Sequence, residues 1–286
     1  MRNSTRSNVD PFIVMDVMEA ARQAEDAGRR IIHMEVGQPS TSAPAGARAA
    51  LARAREQGAL GYTVALGLPD LRARLARLYR DWSGLELNPD RVVVTAGASG
   101  AFILAFTALF DAGDKVGLGA PGYPSYRQIL RALSLQPVGL QTSAQHRLQP
   151  VPADIPDGLK GLIVASPANP TGTMLDRPAL DALIGAAREA DAAFISDEIY
   201  HGLEYDRPAV SALSVTDDCY VINSFSKYFS MTGWRIGWMV VPQAHVRHVE
   251  RLAQNRRSHR RAGPGNHFEQ HQQPQVGRNL SRGGGL

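Results

Sequence analysis

Lys227 stands in the run Ser224-Phe225-Ser226-Lys227-Tyr228-Phe229-Ser230-Met231-Thr232-Gly233-Trp234-Arg235, directly after the apolar stretch Cys219-Tyr220-Val221-Ile222. A lysine at the end of a buried strand is costly unless it has a partner or a reaction to perform. Burial lowers its pKa and exposes a neutral, nucleophilic amine. Such an amine condenses with a carbonyl to a Schiff base. Ser224, Ser226 and Arg235 suit a phosphate. A ligand with an aldehyde at one end and a phosphate at the other is described by pyridoxal 5'-phosphate.

Four further clusters could serve the same site. Gly97-Ala98-Ser99-Gly100 combines small residues with a strand-to-helix turn, where free backbone N–H groups attract anions; the same run also serves as a plain turn. Tyr123 lies between Pro121 and Pro124, held either to stack on a flat ring or to pack as a loop aromatic. Asn169 precedes Pro170, which excludes αR geometry and presents its amide from an extended backbone; Asn-Pro-Thr-Gly is also a turn signal. Asp197 ends an apolar strand, where an unpaired carboxylate is expensive, so a cation is expected opposite it. Its bland role is a helix cap. Tyr200, three residues on, is close enough to face the same site. Tyr62, in the loop before Pro69, reads on its own as a structural tyrosine.

These residues need a frame. Apolar strands are expected at Val92–Thr95, Val116–Gly119, Pro137–Gln141, Leu162–Ala165, Ala193–Ser196, Tyr220–Asn223 and Ile236–Val241. Helical patterns intervene at Ala101–Phe110, Ser125–Ala132, Arg177–Glu189 and Gln243–Ala253. Strands apolar throughout and separated by helices imply an α/β fold: a mainly parallel seven-stranded sheet with helices on both faces. Ligands in such sheets bind beyond the carboxyl ends of the strands, where all five clusters fall. Upstream, a helix is expected from Pro11 to Gly28 with Ile13, Val14, Val17, Met18 and Ala21 on its apolar side. A short strand Ile31–Val36 runs into the turn Gly37-Gln38-Pro39, and helices follow at Pro44–Gln57 and from Pro69, with Leu71, Leu75 and Leu78 as the latter's stripe. Val92 to Phe110 carries no charge, yet its β-branched start and central glycines divide it into strand, turn and helix rather than a membrane span.

Composition narrows the class. The 286 residues suffice for one large core or two domains, and 44% hydrophobic with 20% charged residues excludes a disordered or fibrous chain. The single cysteine, Cys219, excludes an internal disulfide framework and reads as a buried thiol. The basic N-terminus is not followed by an apolar h-region, so a cytoplasmic protein is expected. The net charge of +4 is misleading: residues 255–286 hold six arginines and one acid, a net of +5, which leaves the body at −1. No nucleic-acid role is therefore expected of the body. Beyond residue 255 the chain turns to a Gln/His/Pro/Gly run without helical or strand period. His259, His267 and His271 there lack the cysteines and carboxylates of a metal site, and none is expected.

Taken together, the chain resembles the class I/II aminotransferases, within the fold-type-I pyridoxal-phosphate enzymes. The resemblance spans Gly61 to Asn255. It rests on Asn169-Pro170-x-Gly172, Asp197-x-x-Tyr200, and Ser224-x-x-Lys227 with Arg235 eight residues further on. It implies that Lys227 carries the Schiff base with the cofactor and shuttles a proton in the transfer. Asp197 would pair with the pyridinium nitrogen, Asn169 and Tyr200 would bond the phenolic oxygen, and Tyr123 would stack on the ring. Gly97, Ala98, Ser99, Ser224, Ser226 and Arg235 would hold the phosphate, Ala98 through its N–H alone. The tyrosine matching Tyr62 reaches a neighbouring subunit's phosphate, which implies a homodimer. Gly37 and Asn169 would lie against the substrate, an L-amino acid or a 2-oxo acid.

The implied domains are an N-terminal arm with part of a small domain (1–45), a cofactor-binding large domain (46–254) and an aberrant tail (255–286). The resemblance also implies a longer C-terminal part carrying an arginine for the substrate carboxylate. The composition change after residue 255 leads to the expectation of a frameshifted or truncated end, with impaired transfer. A lyase or decarboxylase of the same fold would use the same motifs, and a non-catalytic cofactor-binding remnant is the reading from another class.

Overall fold

Neighbouring residues along the central strands bury into two different cores. The structure is a computed structural model that describes residues 2–57 and 61–255. Its strands are β1 (Val92–Thr95), β2 (Lys115–Ala120), β3 (Gln136–Gln141), β4 (Gly161–Ala165), β5 (Ala193–Asp197), β6 (Tyr220–Ser224) and β7 (Gly237–Val240). The α-helices are α1 (Ile13–Asp26), α2 (Ala45–Glu56), α3 (Pro69–Ser83), α4 (Gly97–Leu109), α5 (Pro124–Ala132), α6 (Arg177–Glu189) and α7 (Val246–Asn255). Val92, Leu162, Val164, Val221, Trp238 and Val240 face one core. Their neighbours Val93, Ile163, Ile222 and Met239 face the other. Side chains alternate across a strand, so a run that is apolar at every position demands cover on both faces. Leu75 and Leu78 of α3 with Leu180 and Leu183 of α6 cover the first. Phe102 and Phe106 of α4, Leu130 of α5 and Val249 of α7 cover the second.

The sheet order is β1-β7-β6-β5-β4-β2-β3. Pairs β2–β3, β2–β4, β4–β5 and β5–β6 are parallel, while β7 is antiparallel to both β1 and β6. Six strands therefore point one way, and the start of β7 lies at their carboxyl ends. This is the mainly parallel α/β sheet that the apolar runs imply, with strand bounds moved by a residue or two. The uncharged stretch from Val92 resolves into β1 and α4, and no helix among the described residues is long and apolar enough to cross a membrane. Helix ends follow local chemistry. The Asp176 side chain accepts from the Ala179 N–H (3.0 Å) at the start of α6, and Gly84 (φ 66°) closes α3 in the left-handed region. Cys219 is buried, with its thiol donating to the Thr216 carbonyl (3.5 Å).

Two expectations at the N-terminal end are corrected. Ile31–Val36 is not a strand, and Ile32 and Met34 are 78% and 87% exposed. An extended segment becomes a strand only when a neighbour completes its ladder, and no described strand pairs with this one. The helix at 13–26 forms, but it buries no residue, with Ile13 67% exposed. Its apolar periodicity is real, but the described residues cover it only in part: Val14, Met18 and Ala21 are half-buried, and His33 Nε2 lies 3.0 Å from Glu25 Oε1. The segment ahead of it docks on α5 through polar contacts as well: the Asp10 N–H donates to Gln128 Oε1 (3.2 Å), and Arg131 Nη1 donates to Asp10 Oδ2 (2.7 Å). Residues 256–286, where the altered tail is expected, lie outside the described residues.

Candidate active site

Thr95 of β1 and Ser224 of β6 both pair with Gly237 of β7, so three strand ends lie level. α4 begins two residues after β1. A Cβ added at Gly237 would lie 2.7 Å from the Gly97 carbonyl carbon and 2.9 Å from the Ala98 nitrogen, which puts the first turn of α4 on the start of β7. Arg235, two residues before β7, has a left-handed φ of 54° and donates to the Thr232 carbonyl (3.1 Å). Its guanidinium crosses Gly97, where an added Cβ would meet Nη2 at 2.8 Å. The opening N–H groups of a helix have no intrahelical acceptor, and Ala96, the cap residue here, offers no side-chain acceptor. Ala98 is half-buried and Ser99 exposed; Ser224 and Ser226 are buried, with the Ser226 N–H donating to Ser224 Oγ (3.0 Å). The corner thus joins a helix N-terminus, a guanidinium and a hydroxyl, an arrangement that favours an anion.

On the other side of β6, Asp197 pairs in register with Ile222 of β6 and Ala165 of β4. Asp197 is 5% exposed. The Tyr126 hydroxyl donates to Oδ2, and the Ile199 N–H donates to Oδ1 (3.1 Å). Burial pushes the Asp197 carboxyl up to about 6, while these two hydrogen bonds act in the opposite direction. Among the described residues, a phenol and a backbone N–H are the groups that donate to the Asp197 carboxylate. Asn169 Nδ2 donates to the Tyr200 hydroxyl (3.3 Å). Burial, and then the charge of Asp197, raise the pKa of Tyr200, which keeps its phenol protonated.

Lys227 lies three residues beyond β6, half-buried. Its Nζ donates to the Gly37 carbonyl (2.7 Å) and stands 5.9 Å from the centre of the Tyr200 ring. Burial, reinforced by the positive charge of Arg235, lowers its pKa. Tyr123 stands at the start of α5, half-buried, with its ring edge-to-face against Phe12 (5.8 Å) and Tyr126 (5.3 Å). Tyr62 is 76% exposed in the loop before α3.

Sequence reasoning assigned no role to four neighbours. Tyr126 touches Asp197, and its signal was the three-residue spacing from Tyr123 at a helix start. Phe12 reaches Tyr123 from the N-terminal arm, without a local signal. Glu198 is fully buried: Oε1 accepts from Ser196 Oγ (3.2 Å), Ser211 Oγ (3.0 Å) and the Ala212 N–H (2.8 Å). His201 Nδ1 lies 3.5 Å from Glu198 Oε2, and Nε2 lies 2.9 Å from the carbonyl oxygen of Ser166, at the head of the Asn169 loop. A second acid directly after Asp197 was the legible sign of this pair.

The chain is similar to known proteins over most of its length. The family described as "Aminotransferase class I and II" matches residues 29–264. The chain is 46% identical over 259 residues to valine–pyruvate aminotransferase of Mycobacterium tuberculosis, covering 89% of this chain and 67% of that protein. It is 32% identical to the (5-formylfuran-3-yl)methyl phosphate transaminase of Methanocaldococcus jannaschii, covering 87% of this chain and 66% of that one. Among solved structures, an aminotransferase from M. tuberculosis superposes with a TM-score of 0.86 at 45% identity over 90% of this chain and 67% of that chain. Aspartate aminotransferase from Thermus thermophilus gives 0.84 at 30% identity over 90% of this chain and 69% of that chain. The chain spans about two thirds of the length of these relatives. By sequence and by fold, it belongs to the aminotransferase class I and II family.

Proposed function

We propose that this chain is the cofactor-holding part of a pyridoxal 5'-phosphate-dependent aminotransferase that moves an amino group between an L-amino acid and a 2-oxo acid. The observation that carries the proposal is Lys227: a half-buried amine of lowered pKa, with an anion-binding corner on one side and a buried carboxylate on the other. The residues fit the cofactor. Gly97 leaves a cradle that a Cβ would fill against Arg235, and the donors there suit a phosphate.

When bound, the cofactor supplies an electron-withdrawing ring that stabilises negative charge developing at the substrate α-carbon. The first-turn N–H groups at Gly97, Ala98 and Ser99 bind the phosphate with Ser224 and Arg235, and Ser226 orients Ser224. Lys227 Nζ would be the point of attachment and, as a free amine, would take the proton from the substrate α-carbon and hold it on its own nitrogen as an ammonium until it is returned to the product. The Asp197 carboxylate holds a proton on the ring nitrogen. Asn169 and Tyr200 donate to the phenolic oxygen, and Tyr123 stacks on the ring. Gly37, already in contact with Lys227, lies against the substrate. Tyr62, exposed before α3, reaches the phosphate site of a second copy, so a homodimer is proposed. The named M. tuberculosis relative makes valine and pyruvate the first donor and acceptor to test.

Borohydride reduction after incubation with pyridoxal 5'-phosphate should fix the cofactor to the peptide containing Lys227, read by mass, and Lys227→Ala should abolish the label. A label on other lysines, or an equal label in Lys227→Ala, refutes the assignment. Product analysis then separates transfer (a 2-oxo acid with pyridoxamine phosphate) from release of ammonia or carbon dioxide.

A further inference from the structure

Tyr126 sits where three parts of the site meet. It is 5% exposed, in the first turn of α5, three residues after Tyr123. Its hydroxyl donates to Asp197 Oδ2. Its ring lies edge-to-face with Tyr123 (5.3 Å, interplanar angle 80°) and tilted against Phe102 of α4 (4.9 Å). Phe102 belongs to the helix whose first turn forms the anion corner. A buried tyrosine needs an acceptor, and ordinarily any carbonyl serves. This one takes the carboxylate at the end of β5.

We propose that Tyr126 is a positioning residue: its hydroxyl orients Asp197 and keeps it ionised, and its ring fixes the plane of Tyr123. The inference rests on the cofactor-holding reading and deepens it by adding a residue that links the partner of the ring nitrogen to the stacking aromatic. The chemistry favours it. A hydrogen bond donated to the charged form of an acid stabilises that form. Burial, the charge of Asp197 and the hydrogen bond to it hold the Tyr126 phenol well above its ordinary pKa, so it stays a donor at any working pH. The titratable groups around Asp197 are Glu198, Tyr200 and His201 from the turn after β5, with Tyr123 at the cap and Tyr126 in the first turn of α5. Tyr126 is the side chain among them that hydrogen-bonds the carboxylate. The i, i+3 spacing then lets one helical turn aim the phenol at Asp197 and present its ring to Tyr123.

The test is Tyr126→Phe, which removes the hydroxyl and keeps the ring, with two readouts. In the chain without added cofactor, carbon-13 NMR of labelled aspartate carboxyls follows Asp197, identified by its loss in Asp197→Asn; its titration should move to higher pH in Tyr126→Phe. With pyridoxal 5'-phosphate, the Kd should rise about tenfold, the effect of one hydrogen bond to a charged group. In the Asp197→Asn background the same substitution should change Kd less than twofold. An unmoved Asp197 titration, or an equal loss of affinity in both backgrounds, overturns the proposal. Should Tyr126→Phe fold poorly, 3-fluorotyrosine placed at position 126 strengthens the donor and must move the Asp197 titration downward; no movement is equally fatal. If the unaltered chain takes up no cofactor while the Asp197 shift is present, the functional reading falls and the hydroxyl–carboxylate coupling stands.

Discussion

Asp197 should make the unliganded protein less stable as pH rises, and Asp197→Asn should remove that dependence. The carboxyl is buried at the end of β5, and burial lifts its pKa from 3.8 to about 6. A raised folded-state pKa means that the unfolded chain releases this proton first. The stability contributed by the neutral acid is complete below pH 3.8 and is lost as pH rises through about 6. The gap between the two values corresponds to about 3 kcal/mol at ~1.36 kcal/mol per pH unit. That is a large share of a domain stability of about 5–15 kcal/mol. Urea unfolding of both proteins at several pH values between 4 and 8, without cofactor, measures it. The stability of Asp197→Asn relative to the unaltered chain should rise by about 2 kcal/mol across that range, most of it gained below pH 6.5, the rest of the gap lying below pH 4. Added pyridoxal 5'-phosphate should then stabilise the unaltered chain most above pH 6, because a protonated ring nitrogen meets an ionised carboxylate. Parallel stability curves for the two proteins would refute the reasoning, since Asp197 would then titrate as an exposed acid.

Gly97→Ala should cost about 1–2 kcal/mol, because φ is 71° and the new methyl would lie 2.8 Å from Arg235 Nη2; it should also weaken pyridoxal 5'-phosphate binding at least tenfold. Gly113→Ala is the control: φ is 96° with nothing within 4 Å, so stability should drop by about 1 kcal/mol with cofactor Kd unchanged in a fluorescence titration. Glu198→Ala strands the Ser211 hydroxyl and the Ala212 N–H, so urea unfolding should show a loss of about 3 kcal/mol; Glu198→Gln, which keeps an acceptor, should lose less.

The two-faced sheet was legible because burial writes itself into composition. Strands that must fill two cores carry apolar residues at every position, and α6 announces itself through Asp176 and its leucine spacing. The five clusters were legible for a related reason: polar and glycine-rich residues directly after apolar strands mark the open end of the sheet. Contacts between distant parts of the chain were not legible. Tyr126 and Asp197 are separated by 71 residues, and Lys227 and Gly37 by 190. No local pattern records such a meeting. Ile31–Val36 fails for the same reason in reverse, since its composition suits a strand but strand formation is a property of pairs. The direction of β7 was also hidden, because a short apolar run reads the same whichever way it enters a sheet.

That direction explains why the site holds together. Were β7 parallel to its neighbours, its amino end and Arg235 would lie at the far edge of the sheet, away from every other cluster. Antiparallel insertion between β1 and β6 instead brings Arg235 to Gly97 and Ser224, through the row Thr95, Gly237, Ser224. Strand order then acts as a ruler. Neighbouring strands lie about 4.8 Å apart, so Asp197 on β5 is set roughly 10 Å across the sheet from the Gly97–Arg235 corner at β7, with Lys227 issuing from β6 between them. A ligand gripped at both ends must be anionic at one and basic at the other, with its reactive carbon near the middle strand. A bare phosphate would use one end of this arrangement and leave Asp197 buried without purpose. A simple aldehyde would use the lysine and leave the corner empty. The spacing of charge across three strands fits the proposed ligand, which has all three features, and for that reason the proposal depends on the order of the strands as much as on any one motif.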